Sequence, residues 1–153
     1  MLGNPLQQCK FINVLPPVAI KNNAAWTTTE IDCKGWDYLV IVFALGATDI
    51  ALAALKVQES DTSGSGFADV TGLIGGTSTT IDAATSALMS ATDDNKLTAF
   101  EIDLTKRKRY IDLSATAGNG TAGSYAAAIG ILYRAKDIPV SASDRGCDEI
   151  LRV

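Results

Sequence analysis

Three kinds of residue in this 153-residue chain could do chemistry: paired carboxylates, one run of cations and three thiols. Carboxylates pair at Glu59/Asp61, Asp93/Asp94 and Glu101/Asp103. Two carboxyl groups at a fixed separation can serve glycoside hydrolysis or hold calcium. Here Glu101 and Asp103 share a face with no aromatic platform between them, and no pair matches a calcium loop, so they read as surface acids. The run Lys106-Arg107-Lys108-Arg109 could grip phosphate or an acidic protein surface. Its plainer reading is a solvated corner between strands, partly neutralised by Asp103 and Asp112.

Histidine is absent. That removes Ser-His-Asp and Cys-His catalysis, histidine-ligated zinc and histidine pH switching together. Cys9, Cys33 and Cys147 are odd in number and widely spaced, which is neither a disulfide framework nor a zinc pattern. They are expected to be reduced and mostly buried, with an external link through Cys9 or Cys147 as the sharper alternative. "SGSG" at 63–66 and "GNG" at 118–120 lack the Lys-Ser/Thr ending and the following helix of a phosphate-cradling loop. Residues 60–66 read as a mobile turn. Trp26 and Trp36 could stack on a sugar if exposed, but a place in the core for one or both is the better expectation. No metal and no cofactor is expected, and no enzymatic activity.

These residues need elements to position them. Hydrophobic residues make up 47% and charged residues 20%, which excludes a disordered chain. The net charge of −4 argues against nucleic acid and anionic membranes as main partners. The N-terminus shows no signal-peptide pattern, so folding in a cytoplasm is expected. The longest apolar run, about ten residues, is too short to span a bilayer as a helix.

"WDYLVIVFALG" at 36–46 is apolar on both alternate faces and predicts a central strand buried on both sides. Residues 53–59 alternate as a half-buried strand, with Leu55 and Val57 inward. A further strand resumes at 67–70, and others run over 97–104, 110–115 and 124–134. In the last of these Tyr125, Ile129, Ile131 and Tyr133 share a face. Residues 83–91 fit either a short helix or an irregular connection. Residues 1–25 read as an extended arm along a sheet edge, broken once at Pro16-Pro17.

Two regions echo one another. Glu-Ile-Asp at 30–32 and again at 101–103 is followed after five or six residues by Tyr38 and Tyr110. A strand, a soft turn and an alanine-rich returning strand follow each. Two such units predict an all-β fold, an antiparallel, jelly-roll-like β-sandwich of about eight strands. The division expected is an N-terminal arm at 1–25, a sandwich domain at 26–138 and a C-terminal arm at 139–153.

"ALKVQESDTSGSGFADVTG", with "EID…GWDYLVIVFALGATD" before it and "RYIDLSATAG…AAAIGILYRA" after it, resembles small structural proteins of tailed bacteriophage virions, most nearly head decoration (cement) proteins. The resemblance covers about residues 28–136. It implies a non-enzymatic protein of the capsid exterior, made in the host cytoplasm, that docks on the major capsid protein in many copies as a homo-oligomer. It implies no catalytic residues and no small-molecule substrate. The arms then serve as clamps, with Phe11, Ile12, Val14, Leu15, Ile150, Leu151 and Val153 as intersubunit contacts and the sandwich folding without them. Lys106, Arg107, Lys108 and Arg109 are the candidate contacts to an acidic partner. The alternative is a carbohydrate-binding or host-recognition β-sandwich of a neck or tail structure.

Overall fold

Alternating and doubly apolar segments become strands, as their periodicities predict. The computed structural model describes residues 5–77, 88–137, 139 and 141–151. Among them are eight strands: β1 Lys10–Leu15, β2 Ile31–Asp32, β3 Trp36–Leu45, β4 Ala54–Ser60, β5 Ala68–Ile74, β6 Leu97–Asp103, β7 Tyr110–Thr116 and β8 Ala126–Ala135. They form two antiparallel four-stranded sheets, ordered β1-β8-β3-β6 and β2-β7-β4-β5. Within these sheets β1 pairs with β8, β2 with β7, β3 with β6 and β4 with β5. Those four pairings are one long hairpin rolled up. The fold is an all-β sandwich with the strand order of a jelly roll.

The core fills the space between the sheets. Leu39, Ile41 and Phe43 of β3 meet Leu55 and Val57 of β4 and Ile111 and Leu113 of β7, all buried. Trp26 closes the cluster edge-on to Phe43, with ring centroids 6.3 Å apart. Trp26 therefore belongs to the core.

The Glu-Ile-Asp echo has a spatial counterpart. Ile31 and Ile102 are both core residues, at 0% and 5% exposure. Asp32 accepts the backbone N–H of Lys34, and Asp103 that of Thr105, so each aspartate turns the chain two residues on. The partners are exchanged: Asp32 lies opposite Tyr110, and Asp103 opposite Tyr38. Each unit supplies the strand that the other unit's motif pairs with.

Several expectations are corrected. Strand β3 does lie inside its sheet, but only one of its faces is fully buried; Tyr38, Val40, Val42 and Ala44 on the other are half-buried. The turn at 60–66 is held at several points. The Glu30 carboxylate accepts from the Ser63 hydroxyl and the Gly64 N–H, while the Ser60 hydroxyl bridges Thr62 and Ser65. Of the helix expected over 83–91, residues 83–87 lie outside the described residues. Residues 88–90 are irregular, and Ala91–Asp93 form one 3₁₀ turn behind a Ser90 cap.

The terminal segments also differ from free arms. The first does run along a sheet edge and breaks at the prolines: β1 pairs with β8, then Lys21 bridges Ser124 and Ala25 bridges Thr116 on the other sheet. Its Val14 and Leu15, however, are 0% and 2% exposed and sit within the shared core. A side chain there cannot reach a neighbouring subunit. The boundary expected at residue 25 is thus not a boundary in the core. Leu15→Ala should destabilise the chain by about 2–4 kcal/mol, the range for truncating a buried leucine. Urea unfolding measures this, and a loss under about 1 kcal/mol would show that β1 is dispensable to the core.

Candidate functional site

The basic run follows the 3₁₀ turn Leu104–Lys106, capped by Asp103, and leads into β7. Buried Leu104 anchors that corner, so the cations around it point outward. Most of them are already matched. Arg109 makes a two-pronged contact with Asp32 at 2.7 and 2.9 Å and lies 4.8 Å over the Tyr110 ring. Arg107 faces Glu59 at 3.5 Å, and Lys108 faces Asp61 at 3.6 Å. The neutralising acids are not the expected Asp103 and Asp112, which cap Thr105 and accept from Thr28. Lys106 is exposed, and its positive charge helps lower the Asp103 carboxyl. An open cleft of about 340 Å³ beside this corner is lined by Cys33, Lys34, Trp36, Leu104, Arg107, Lys108 and Arg109. Only Trp36 of the two tryptophans reaches it, so the pair forms no sugar platform.

The three cysteines are thiols, two of them buried. Burial pushes Cys33 up to about 12, with the Asp32 charge adding to the effect. Burial also raises Cys9, against the opposing charge of Arg145. Arg145 is 4% exposed and fixes the C-terminal segment to β1. Its Nε donates to the Cys9 carbonyl, and its own carbonyl accepts the Phe11 N–H at 2.8 Å. Gly146 crosses so close that a Cβ there would lie 1.8 Å from the Phe11 oxygen, at a φ of +73°. The C-terminal stretch is therefore docked through residue 147. Beyond it Ile150 is half-buried and Leu151 is 84% exposed, while Val153 lies outside the described residues.

The expected intersubunit contacts scatter as a result. Val14 and Leu15 are core, Ile12 packs against the core, and Phe11 is half-buried. Phe11 pairs with Ile131, and this points to a surface that the motif search missed.

On β8 the small residues face inward. Ala126, Ala128 and Gly130 are buried, whereas Ile129 is 51% exposed and Ile131 and Tyr133 are half-buried. The register sets these beside Val42, Val40 and Tyr38 of β3, and Tyr38 stacks on Tyr133 at 5.2 Å. Ala99 and Leu97 of β6 continue the rows, with Leu97 67% exposed. Polar groups occur at the margins: Asn13 on β1, Glu101 and Asp103 on β6. The outward side of the other sheet is polar throughout its centre, with Lys56, Gln58, Asp112, Ser114 and Thr116. One side of the sandwich is thus an ordinary wet surface. The other is a continuous apolar sheet face.

Among the described residues no group of three His, Cys, Asp or Glu side chains could hold a metal ion. In comparison with known proteins, no family model and no curated protein matches the chain.

Two outcomes follow from the ionisable groups. Arg109 holds Asp32 below the ordinary carboxylate range, the Thr105 hydroxyl and N–H do so for Asp103, and Lys56 and Gln58 for Asp69. Their folded values lie below the unfolded value of about 4, so the unfolded chain binds protons first as pH falls. Stability is therefore fully present above about pH 4 and declines as acid titrates the folded-state carboxyls. Urea midpoints across this range should show a plateau and then a fall, and a midpoint that rises on acidification would contradict the assignment. For the thiols, a disulfide reagent at about pH 8 should label Cys147 in the native protein and Cys33 only after unfolding. Rapid native labelling of Cys33 would show that its burial is not maintained.

Proposed function

We propose that the chain is a non-enzymatic structural protein of a tailed-phage virion that docks on the outside of the capsid shell and stabilises it. The observation that carries this reading is the apolar sheet face. An apolar sheet left facing water gains by burial against another protein surface, whereas a small-molecule site calls for a concavity with convergent polar groups. The cleft at the basic corner suits catalysis poorly, because Arg107, Lys108 and Arg109 already face Glu59, Asp61 and Asp32. The resemblance of "ALKVQESDTSGSGFADVTG" and its flanks to decoration proteins supplies the kind of partner: a major capsid protein and further copies of this chain. Exposed Leu151, beyond the docked turn, supplies a second apolar contact.

Many modest contacts repeated over a lattice act together, so single-site affinity need not be high. The test mixes the full chain with purified shells lacking it, followed by sedimentation and thermal disruption of the shells. The chain should pellet with the shells and raise their disruption temperature. Failure to pellet, with no change in shell stability, would overturn the reading.

A further inference from the structure

The apolar face has a definite shape as well as a composition. Its centre consists of Ile129 and Ile131 on β8 beside Val40 and Val42 on β3, and carries no charge. The isoleucine ridge stands higher, since Ile129 is 51% exposed while both valines are half-buried. Charge is confined to the β6 margin, as Glu101 and Asp103; the one ionisable side chain of β1, on the opposite margin, is the cation Lys10.

We infer that the occupant of this face is a second copy of the chain, packed sheet to sheet about a two-fold axis running between β8 and β3. This rests on the reading of the face as a protein-docking surface. Such an axis lays the isoleucine ridge of one copy over the lower valine strand of the other. It also sets the acidic β6 margin against the partner's β1, so the acids of the two copies do not meet. This matters for a chain of net charge −4. Aligned sheets pack in this way about 10 Å apart and crossed by about 30°. An isologous contact of this kind uses the same patch on both copies.

The area fits a real but modest association. Four strands at about 4.8 Å and seven residues at about 3.4 Å give a footprint of about 450 Å² per copy. Two copies bury about 900 Å² from the flat footprint, and side-chain relief together with Tyr125 and Leu97 at one end brings this to the lower bound of about 1,000 Å² for a specific interface. A dissociation constant of micromolar order is expected.

Sedimentation equilibrium of the full chain from low micromolar to millimolar concentration tests the inference. The mass should rise from 16.0 kDa towards twice that value. Ile129→Lys and Val42→Lys should each remain monomeric, with thermal melting at high dilution close to that of the parent. Ser114→Lys on the polar sheet should dimerise normally. A parent that stays monomeric throughout, or a dimer that survives both lysine variants, overturns the inference. A monomer that still pellets with shells would sink the dimer and leave the proposed function standing. A dimer indifferent to shells would do the reverse.

Discussion

The close approach of β8 to the opposing sheet is the constraint on which the rest depends. A Cβ added to Gly130 would lie 2.9 Å from the Ile31 Cδ1 and 3.2 Å from the Val14 Cγ2. The core volume over β8 is already filled by side chains from β1, β2 and β3, and β8 contributes little more than backbone there. Interiors pack near crystalline density, so a larger inward residue would have to displace its neighbours. Because successive side chains of a strand alternate, small residues inward leave the intervening positions outward. Those positions hold Ala127, Ile129, Ile131 and Tyr133. The apolar exterior is thus coupled to the way the interior is packed.

The same packing explains why the chain ends are not free clamps. Val14 approaches Gly130 from β1, and β1 is in turn held from its other side by the Arg145 turn. Ends of a rolled hairpin come together by topology, since its first and last strands are partners. Here residues 9–11 and 145–146 meet as well, through Cys9, Phe11, Arg145 and Gly146. What extends past this closure is short, and Leu151 is its exposed apolar residue.

Much of this was legible in the sequence, because strand existence follows from local pattern. The alternation of residues 97–104 and 53–59 and the double apolarity of 36–46 correspond to β6, β4 and β3, and the Glu-Ile-Asp echo corresponds to two units that pair with one another. Phase was not legible in β8. Periodicity shows that Tyr125, Ile129, Ile131 and Tyr133 share a face, yet the choice of which face is buried is made by side chains from distant strands. Size alone suggests the wrong side. The basic run was opaque for a related reason: its neutralising partners Asp32, Glu59 and Asp61 lie 47 to 77 residues away in sequence, and register alone brings them near.

The two surfaces that could meet a partner therefore differ in their physics. At the basic corner the charges are spent largely within the chain, and exposed ion pairs are screened further by salt. An acidic partner would have to displace Glu59, Asp61 or Asp32 before it gained a contact of its own, so affinity there is low and fades as ionic strength rises. The outer face of the β1-β8-β3-β6 sheet has no internal partner to displace. Its attraction comes from removing apolar area from water, which salt does not screen and which excluded salts such as sulfate strengthen. Contacts of the second kind persist across changes in ionic strength, and on those physical grounds the apolar face is the better suited of the two to a permanent assembly.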